Sequence, residues 1–428
     1  MIDMQIVIHR GTHEVGGSCV ELTHKDTTIL LDIGLPLDYD MDEDPVSRLP
    51  QPLFKQLQKG EKHIDAVILS HAHLDHYGLA NLLPKDIPVY CGRASATLME
   101  ITGLVTGRKT KPLKLQHYSQ QQPFEVSGFT ITPYLMDHSA FDAYGFLVSA
   151  GDKSLFYSGD FRGHGRKGKL LDRLIQHPPK VDALLMEGTL IGERTDELTV
   201  SEEDLQMDFT RVIEETPGIV LVSVSSQNID RLVTIFKASR QADRQLIIDF
   251  YTADVLDRLK DHAKLPQASW GPIRVCYPRY VARHFEKLGL KDILEKHRSN
   301  GIRWTRLNEI ENRAVMLVRP GFLYDIKKYL GLDNATWIYS MWPGYFEKSH
   351  SLRKLRSFLK NKKVRYEYIH TSGHAMLSDL KRLAEALSPE VIIPIHTFNP
   401  DRFQDHFSNV RPMKDGERLN LIKEAAHV

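Results

Sequence analysis

An α/β fold is predicted for this chain on three observations. Short β-rich runs dominate the first 200 residues, strands and helices alternate from about residue 201, and 42% hydrophobic with 26% charged residues is globular usage. The early strands are expected over 4–9, 18–24, 27–32, 65–69, 129–134, 144–149, 154–157 and 182–187, several closing on Gly or Asp. Helices are expected at 76–83 and 93–107. Helix 202–215, strand 218–223, helix 228–241, strand 245–249 and helix 252–261 then follow in turn, continued by strands near 273–276, 314–318 and 335–340 and a helix at 349–360. That rhythm predicts a mostly parallel sheet with helices on its faces. A helix over 376–387 and a strand over 391–395 complete the pattern.

The length of 428 residues accommodates two or three units or one elaborated domain with an insertion. Fifty-six Lys/Arg against 55 Asp/Glu give a formal charge of +1, so any affinity for a polyanion must be local. It is concentrated in the middle: residues 201–369 hold 29 Lys/Arg and 21 Asp/Glu, a net of +8. The densest stretches are Arg274 to Arg306 and the run Arg353, Lys354, Arg356, Lys360, Lys362, Lys363 and Arg365. Such a run is either a solvated helix face or a surface that follows a phosphate backbone. No basic leader with an apolar core and no run of 18 apolar residues is present, so a cytoplasmic location without membrane partners is expected. Cys19, Cys91 and Cys276 are too few and too far apart for a disulfide framework or thiolate zinc ligation.

The strongest chemical signal is His71-Ala72-His73-Leu74-Asp75-His76, directly after the apolar strand Ala66-Val67-Ile68-Leu69-Ser70. Three imidazoles and a carboxylate within six residues are costly unless a cation coordinates them. His and Asp suit zinc, and ligands at this spacing can serve two ions. Further candidates each stand alone at the end of a strand: Asp32 in Leu30-Leu31-Asp32-Ile33-Gly34, His138 in Met136-Asp137-His138-Ser139 and Asp160 in Tyr157-Ser158-Gly159-Asp160.

Taken together and in this order, these motifs resemble the metallo-β-lactamase fold, an αββα sandwich. The resemblance implies that His71, His73 and His138 hold one zinc, that Asp75 and His76 hold a second, that Asp160 bridges both, and that Asp32 orients the ligand loop. Two such cations bring the pKa of water towards neutrality. The block 201–369 is similar to the β-CASP insertion of nucleic-acid-processing members, giving domains 1–200, 201–369 and 370–428. Glu187 in Leu184-Leu185-Met186-Glu187-Gly188-Thr189 matches acidic motif A. His374 in His370-Thr371-Ser372-Gly373-His374-Ala375 matches motif B, and His396 in Ile393-Pro394-Ile395-His396-Thr397 matches motif C with a ligand role at the second metal.

The motif B segment looks most like ribonuclease J, and so does Ser225-Ser226-Gln227-Asn228-Ile229-Asp230-Arg231, a stretch that in that family lies near a terminal phosphate pocket. Ser225, Ser226 and Asn228 stand between a strand and the next helix, where hydroxyls and free NH groups can hold an anion or simply cap the helix. The resemblance favours phosphate or RNA contacts from Ser225, Ser226, Asn228, Arg231, His370, Gly373 and His374. It implies a metal-dependent ribonuclease with two zinc ions, or manganese in their place, acting on single-stranded RNA by exonuclease or endonuclease cleavage. Asp75, Glu187 and His374 are its expected catalytic residues, the substrate lies in a cleft between the two domains, and a homodimer is one expected assembly. Histidine at motif C favours RNA over the DNA of crosslink-repair relatives, and the filled ligand positions disfavour a catalytically silent RNA-binding subunit. The stretch Arg162-Gly163-His164-Gly165-Arg166-Lys167-Gly168 is expected to be a surface or substrate-contacting loop.

Overall fold

The protein is described by a computed structural model covering residues 2–39, 43–106, 113–192, 194–195 and 200–422. It divides into two compact units: Met1–Met99, Lys109–Thr199 and Gly373–Val428 form the first, and Glu100–Arg108 with Val200–Ser372 form the second.

The first unit holds two sheets. Strands β1 (Ile2–Arg10), β2 (Cys19–His24), β3 (Thr27–Leu31), β4 (Ala66–Ile68), β5 (Pro88–Cys91) and β6 (Lys114–His117) belong to one, and β7 (Phe124–Val126), β8 (Phe129–Met136), β9 (Ala143–Ala150), β10 (Lys153–Tyr157) and β11 (Ala183–Glu187) to the other. In the second unit, β12 (Val220–Ser223), β13 (Gln245–Asp249), β14 (Ile273–Cys276), β15 (Ala314–Leu317), β16 (Thr336–Tyr339) and β17 (Arg365–Tyr368) form a sheet in the order β14-β13-β15-β12-β16-β17, every pair parallel. The chain then returns with β18 (Val391–Ile395) beside β11 and β19 (Arg418–Ile422) beside β1.

Alternation of side chains explains the sandwich. Ile6, Ile8, Val20, Leu22, Ile29 and Leu31 of the first sheet share one buried core with Ile131, Phe146, Val148, Leu155 and Leu185 of the second. The opposite residues of the second sheet, Phe156, Leu184 and Met186, pack with Leu171 and Leu174 of the helix Lys169–Gln176 and with Leu380, Leu383 and Leu387 of the helix Leu377–Leu387. The α/β class read from the sequence is the one observed, and the alternating middle block is a parallel sheet.

Two expectations are corrected. The helix expected at 76–83 is a single turn, Leu74–Tyr77, followed by a 3-10 turn at Ala80–Leu82. The carbonyls of Asp75 and His76, which would carry the helix onward, instead accept from Ser18 N (3.1 Å) and Ile33 N (2.8 Å). The loop 162–168 is no open surface loop: Arg162 and His164 are buried, Arg162 N donates to Asp137 O (2.7 Å), and Gly163 N donates to Asp379 Oδ2 (2.8 Å). The short strands β5, β6, β7, β17 and β19 are additions to the sequence reading.

Candidate metal centre

The loop that carries His71 to His76 is built around Asp32. Asp32 ends β3 in the left-handed region at φ +59°, a conformation that short polar side chains tolerate better than most. Its carboxylate accepts from Ser70 N (2.6 Å), Ser70 Oγ (2.7 Å) and Tyr157 OH (2.6 Å), and it meets His76 Nδ1 at 2.8 Å. One buried carboxylate thus fixes the start of the His71–His76 turn and the ring that ends it. His76 is turned by this contact so that Nε2 faces Asp160 Oδ2 at 3.1 Å.

The second sheet brings the isolated motifs to the same end. Parallel pairing sets Tyr157 against Leu185 and Glu187 against Ile395, so Asp160, Glu187 and His396 leave neighbouring strands at their carboxyl ends. Gly159, at φ +55°, makes the turn that presents Asp160; a Cβ there would lie 2.7 Å from Tyr144 O. His396 itself sits at φ +51°, its NH donating to Gly11 O (2.7 Å). His138 follows β8 and is oriented through Nδ1 by the carbonyl of Gly373 (2.5 Å).

Among the described residues, four groups have ligand atoms within 4.8 Å of one another: His71, His73 and His138; His71, His76 and Asp160; Asp75, His76 and His396; and Asp160, Glu187, His374 and His396. Asp160 stands at the centre, its oxygens 3.9 Å from His71 Nε2 and His138 Nε2, 3.6 Å from His374 Nδ1 and 3.7 Å from His396 Nδ1. The buried atoms His71 Nε2, His396 Nε2 and Asp160 Oδ1 have no hydrogen-bond partner among the described residues. Orphaned buried donors and acceptors that converge are costly unless a cation meets them, so the residues fit a bound metal. The charge states of three rings fit too, whereas at His76 burial is outweighed by Asp160 and Asp32, which raise its pKa. Burial lowers the pKa of His71, His73 and His138 and keeps the rings neutral, as ligation requires. Burial would raise Asp75 and Asp160, but His396 and His76 outweigh it and hold both carboxyls low.

His374 lies beside this set. Its Nδ1 is 3.1 Å from Glu187 Oε2 and 3.1 Å from Thr189 Oγ1, and Glu187 also accepts from Phe161 N (2.9 Å). Burial disfavours the imidazolium, yet Glu187 and Asp160 prevail and raise the pKa to about 9. Thr189 is a residue the sequence reading passed over: its hydroxyl reaches Glu187 (2.7 Å), His374 and His396 Nδ1 (2.9 Å). Its position two residues after Glu187 was the available signal, since an extended chain puts both on one face.

All the expected metal residues and Glu187, His374 and Gly373 belong to the first unit, while Ser225, Ser226, Asn228, Arg231 and His370 belong to the second. Asn228 caps the helix Ile229–Gln241 by accepting from Arg231 N (3.1 Å), Ser225 Oγ accepts from Gln227 N (3.3 Å), and Ser226 Oγ lies 2.8 Å from Thr252 Oγ1. For Arg231 the phosphate expectation is corrected. Its side chain is 0% exposed, and its guanidinium is committed to Glu202 (3.0 and 3.2 Å), Ser340 and His370 Nδ1 (3.5 Å). Nothing in the local sequence marks Glu202, 29 residues earlier, as its partner. Glu202→Ala strands this buried cation and is expected to cost about 3–5 kcal/mol, read as a lower denaturant midpoint for the whole chain.

No helix of the described residues is long and apolar enough to cross a membrane. A model described as a beta-lactamase superfamily domain matches residues 43–214, and one described as a Zn-dependent metallo-hydrolase RNA specificity domain matches residues 361–408. Ribonuclease J of Mycoplasma pneumoniae is 23% identical over 90% of this chain and 66% of its own length; that of Thermus thermophilus is 24% identical over 92% and 68%. Transcription termination factor FttA of Methanothermobacter thermautotrophicus is 26% identical over 56% of this chain and 38% of its own. The chain therefore spans about two thirds of the ribonuclease J relatives. A crystal structure of a protein of unknown function from Enterococcus faecalis V583 superposes with a TM-score of 0.79 at 21% identity, covering 98% of this chain and 100% of that one. With these matches and the site's geometry, the chain has the metallo-β-lactamase fold and is similar to RNA-directed hydrolases that share it.

Proposed function

We propose that the protein hydrolyses phosphodiester bonds of single-stranded RNA at a two-zinc centre, with manganese as the alternative metal. The observation that carries the reading is the buried donor set around Asp160, whose orphaned atoms converge from two sheets. The RNA specificity model over 361–408 and the name ribonuclease J among the relatives supply the substrate class. His71, His73 and His138 would hold one ion, Asp75, His76 and His396 the other, and Asp160 would bridge them. Divalent cations there supply Lewis-acid activation of water and of a phosphoryl oxygen.

The remaining roles fall to the chain itself. Asp32 holds His76 and the ligand turn, as a hydrogen-bonded carboxylate fixes the tautomer of a ligating ring. Glu187 and Thr189 engage His374 through Nδ1, so its other nitrogen is the atom that contacts the scissile phosphate or protonates the leaving oxygen. His374→Ala is expected to lower turnover by roughly two to four orders of magnitude while the metal content stays at the wild-type value. Loss of zinc in that variant would move His374 into the ligand set and remove its proposed role.

The direct test incubates metal-loaded protein with RNA and DNA of one sequence, single-stranded and carrying either a 5′-monophosphate or a 5′-hydroxyl, beside an Asp75→Ala control. RNA consumed by the wild type and spared by the control supports the reading. DNA consumed in preference would replace it with a crosslink-repair type of nuclease, and survival of both polymers with zinc bound would replace it with an RNA-binding subunit.

A further inference from the structure

The second unit carries an exposed aromatic cluster bordered by cations. Trp342, Tyr345, Tyr366 and Tyr368 are 42%, 49%, 44% and 46% exposed. Tyr366 and Tyr368 lie on β17, the edge of the parallel sheet, opposite Trp337 and Tyr339 on β16. Ring centroids are 5.3 Å apart for Trp337 and Tyr366 and 6.4 Å for Tyr339 and Tyr368, the second pair stacked. Trp342 and Tyr345 follow β16, their rings 5.6 Å apart, and Tyr339 OH donates to Trp342 O (3.1 Å). Each exposed ring thus touches another aromatic ring, stacked for Tyr368, tilted for Tyr366 and edge-on between Trp342 and Tyr345, while a little under half of each residue faces solvent.

The border is basic. Arg356 lies over Phe346 at 4.6 Å and over Tyr366 at 5.7 Å, and Lys348 lies over Trp342 at 5.7 Å. Arg353, Lys354, Arg356 and Lys360 are exposed on the helix His350–Asn361, and Lys362 and Lys363 follow it. From Lys348 to Tyr366 the sequence contains no Asp or Glu, and none of these six cations has an ion-pair partner among the described residues. The charge run noted in the sequence thus surrounds a stacking surface.

We propose that this face binds unpaired bases of single-stranded RNA, the aromatic rings stacking bases and the helix cations holding the phosphates. The two features together are what a single strand requires: sequence-tolerant stacking and a positive groove. A duplex offers phosphates but no free base faces. A second copy of this chain would bring like charge against like charge. Successive outward positions on β17 are about 7 Å apart, room for one base each. β17 also runs directly into His370-Thr371-Ser372-Gly373-His374, so the track and motif B are consecutive in the chain. The inference rests on the proposed function only for the choice of RNA as the polymer.

The test uses the full chain with Asp75→Ala, which spares the probe, and a fluorescent single-stranded RNA oligonucleotide read by anisotropy. Tyr366→Ala/Tyr368→Ala should weaken binding by about ten-fold or more, while Tyr366→Phe/Tyr368→Phe stays within about two-fold. Tryptophan emission quenched by RNA should lose part of that quenching in Trp342→Phe. Should the double alanine variant fail to fold, Arg353→Glu/Lys354→Glu, on an exposed helix face, should weaken binding to a similar degree and flatten its salt dependence. Unchanged affinity in a folded double variant overturns the proposal, as does an altered sedimentation coefficient with unaltered RNA affinity, which would give the face to a second copy. Binding through the track by a protein that cleaves nothing would remove the proposed hydrolysis and leave the track. Cleavage with track variants that bind normally would do the reverse.

Discussion

Asp160→Asn is expected to release metal and to lower RNA turnover by about three orders of magnitude or more, the largest effect of any single near-isosteric change in this chain. The side chain keeps its volume, so the loss isolates charge from packing. Among the described residues, Asp160 is the one carboxylate in reach of both halves of the site: Oδ2 lies 3.1 Å from His76 Nε2 and 3.9 Å from His71 and His138, and Oδ1 lies 3.7 Å from His396. An amide at this position offers an NH2 group where a cation is required and removes the negative charge that several imidazoles share. The measurement is metal per chain by elemental analysis, made beside the turnover of single-stranded RNA and a thermal melt. Full metal occupancy with wild-type turnover would exclude a bridging role for Asp160 and leave the two halves as independent sites.

What the sequence disclosed of this site follows from how local each signal is. His71, His73, Asp75 and His76 are legible because four residues able to ligate a metal fall within six positions after a buried strand. Asp32, His138, Asp160, Glu187, His374 and His396 are single residues of types with many ordinary uses, and only their order and their strand ends make them a set. Tyr157 is invisible for the same reason carried further, and Thr189 has only its spacing from Glu187 to mark it: a Tyr or Thr hydroxyl near a motif carries no distinctive chemistry until the fold aims it at Asp32 or Glu187. Arg231 illustrates the opposite failure, a residue whose neighbourhood suggested phosphate but whose partner, Glu202, lies on the preceding helix. At the level of elements, the long periodic helices and apolar strands were readable. β17 was not, because Arg365, Tyr366 and Tyr368 are all exposed and the strand has no apolar alternation. The helix expected at 76–83 was displaced by contacts from residues 18 and 33 to 35, which no window of local sequence contains.

Those contacts locate the second large effect, at a residue with no functional group. Gly34 is not among the glycines at positive φ, so the demand on it is for space. A Cβ there would stand 1.7 Å from Asp75 O, 2.1 Å from Asp75 C and 2.8 Å from His76 N. The two segments are laced together by Ile33 N to His76 O (2.8 Å), Leu35 N to Leu74 O (2.9 Å) and Ser18 N to Asp75 O (3.1 Å), so neither can recede without breaking backbone hydrogen bonds. Gly34→Ala is therefore expected to destabilise the chain by about 1–3 kcal/mol or more and to push Asp75 and His76 out of register with Asp160 and His396. Metal content should fall and RNA turnover should fall with it, although every ligand and every charge is retained. Gly271→Ala is the matched control: a Cβ at Gly271 meets nothing within 4 Å, and its expected effect is within about 0.5 kcal/mol. If Gly34→Ala keeps wild-type metal content and turnover, the ligand turn is held by Asp32 alone and the interlocking of the two loops has no part in positioning it.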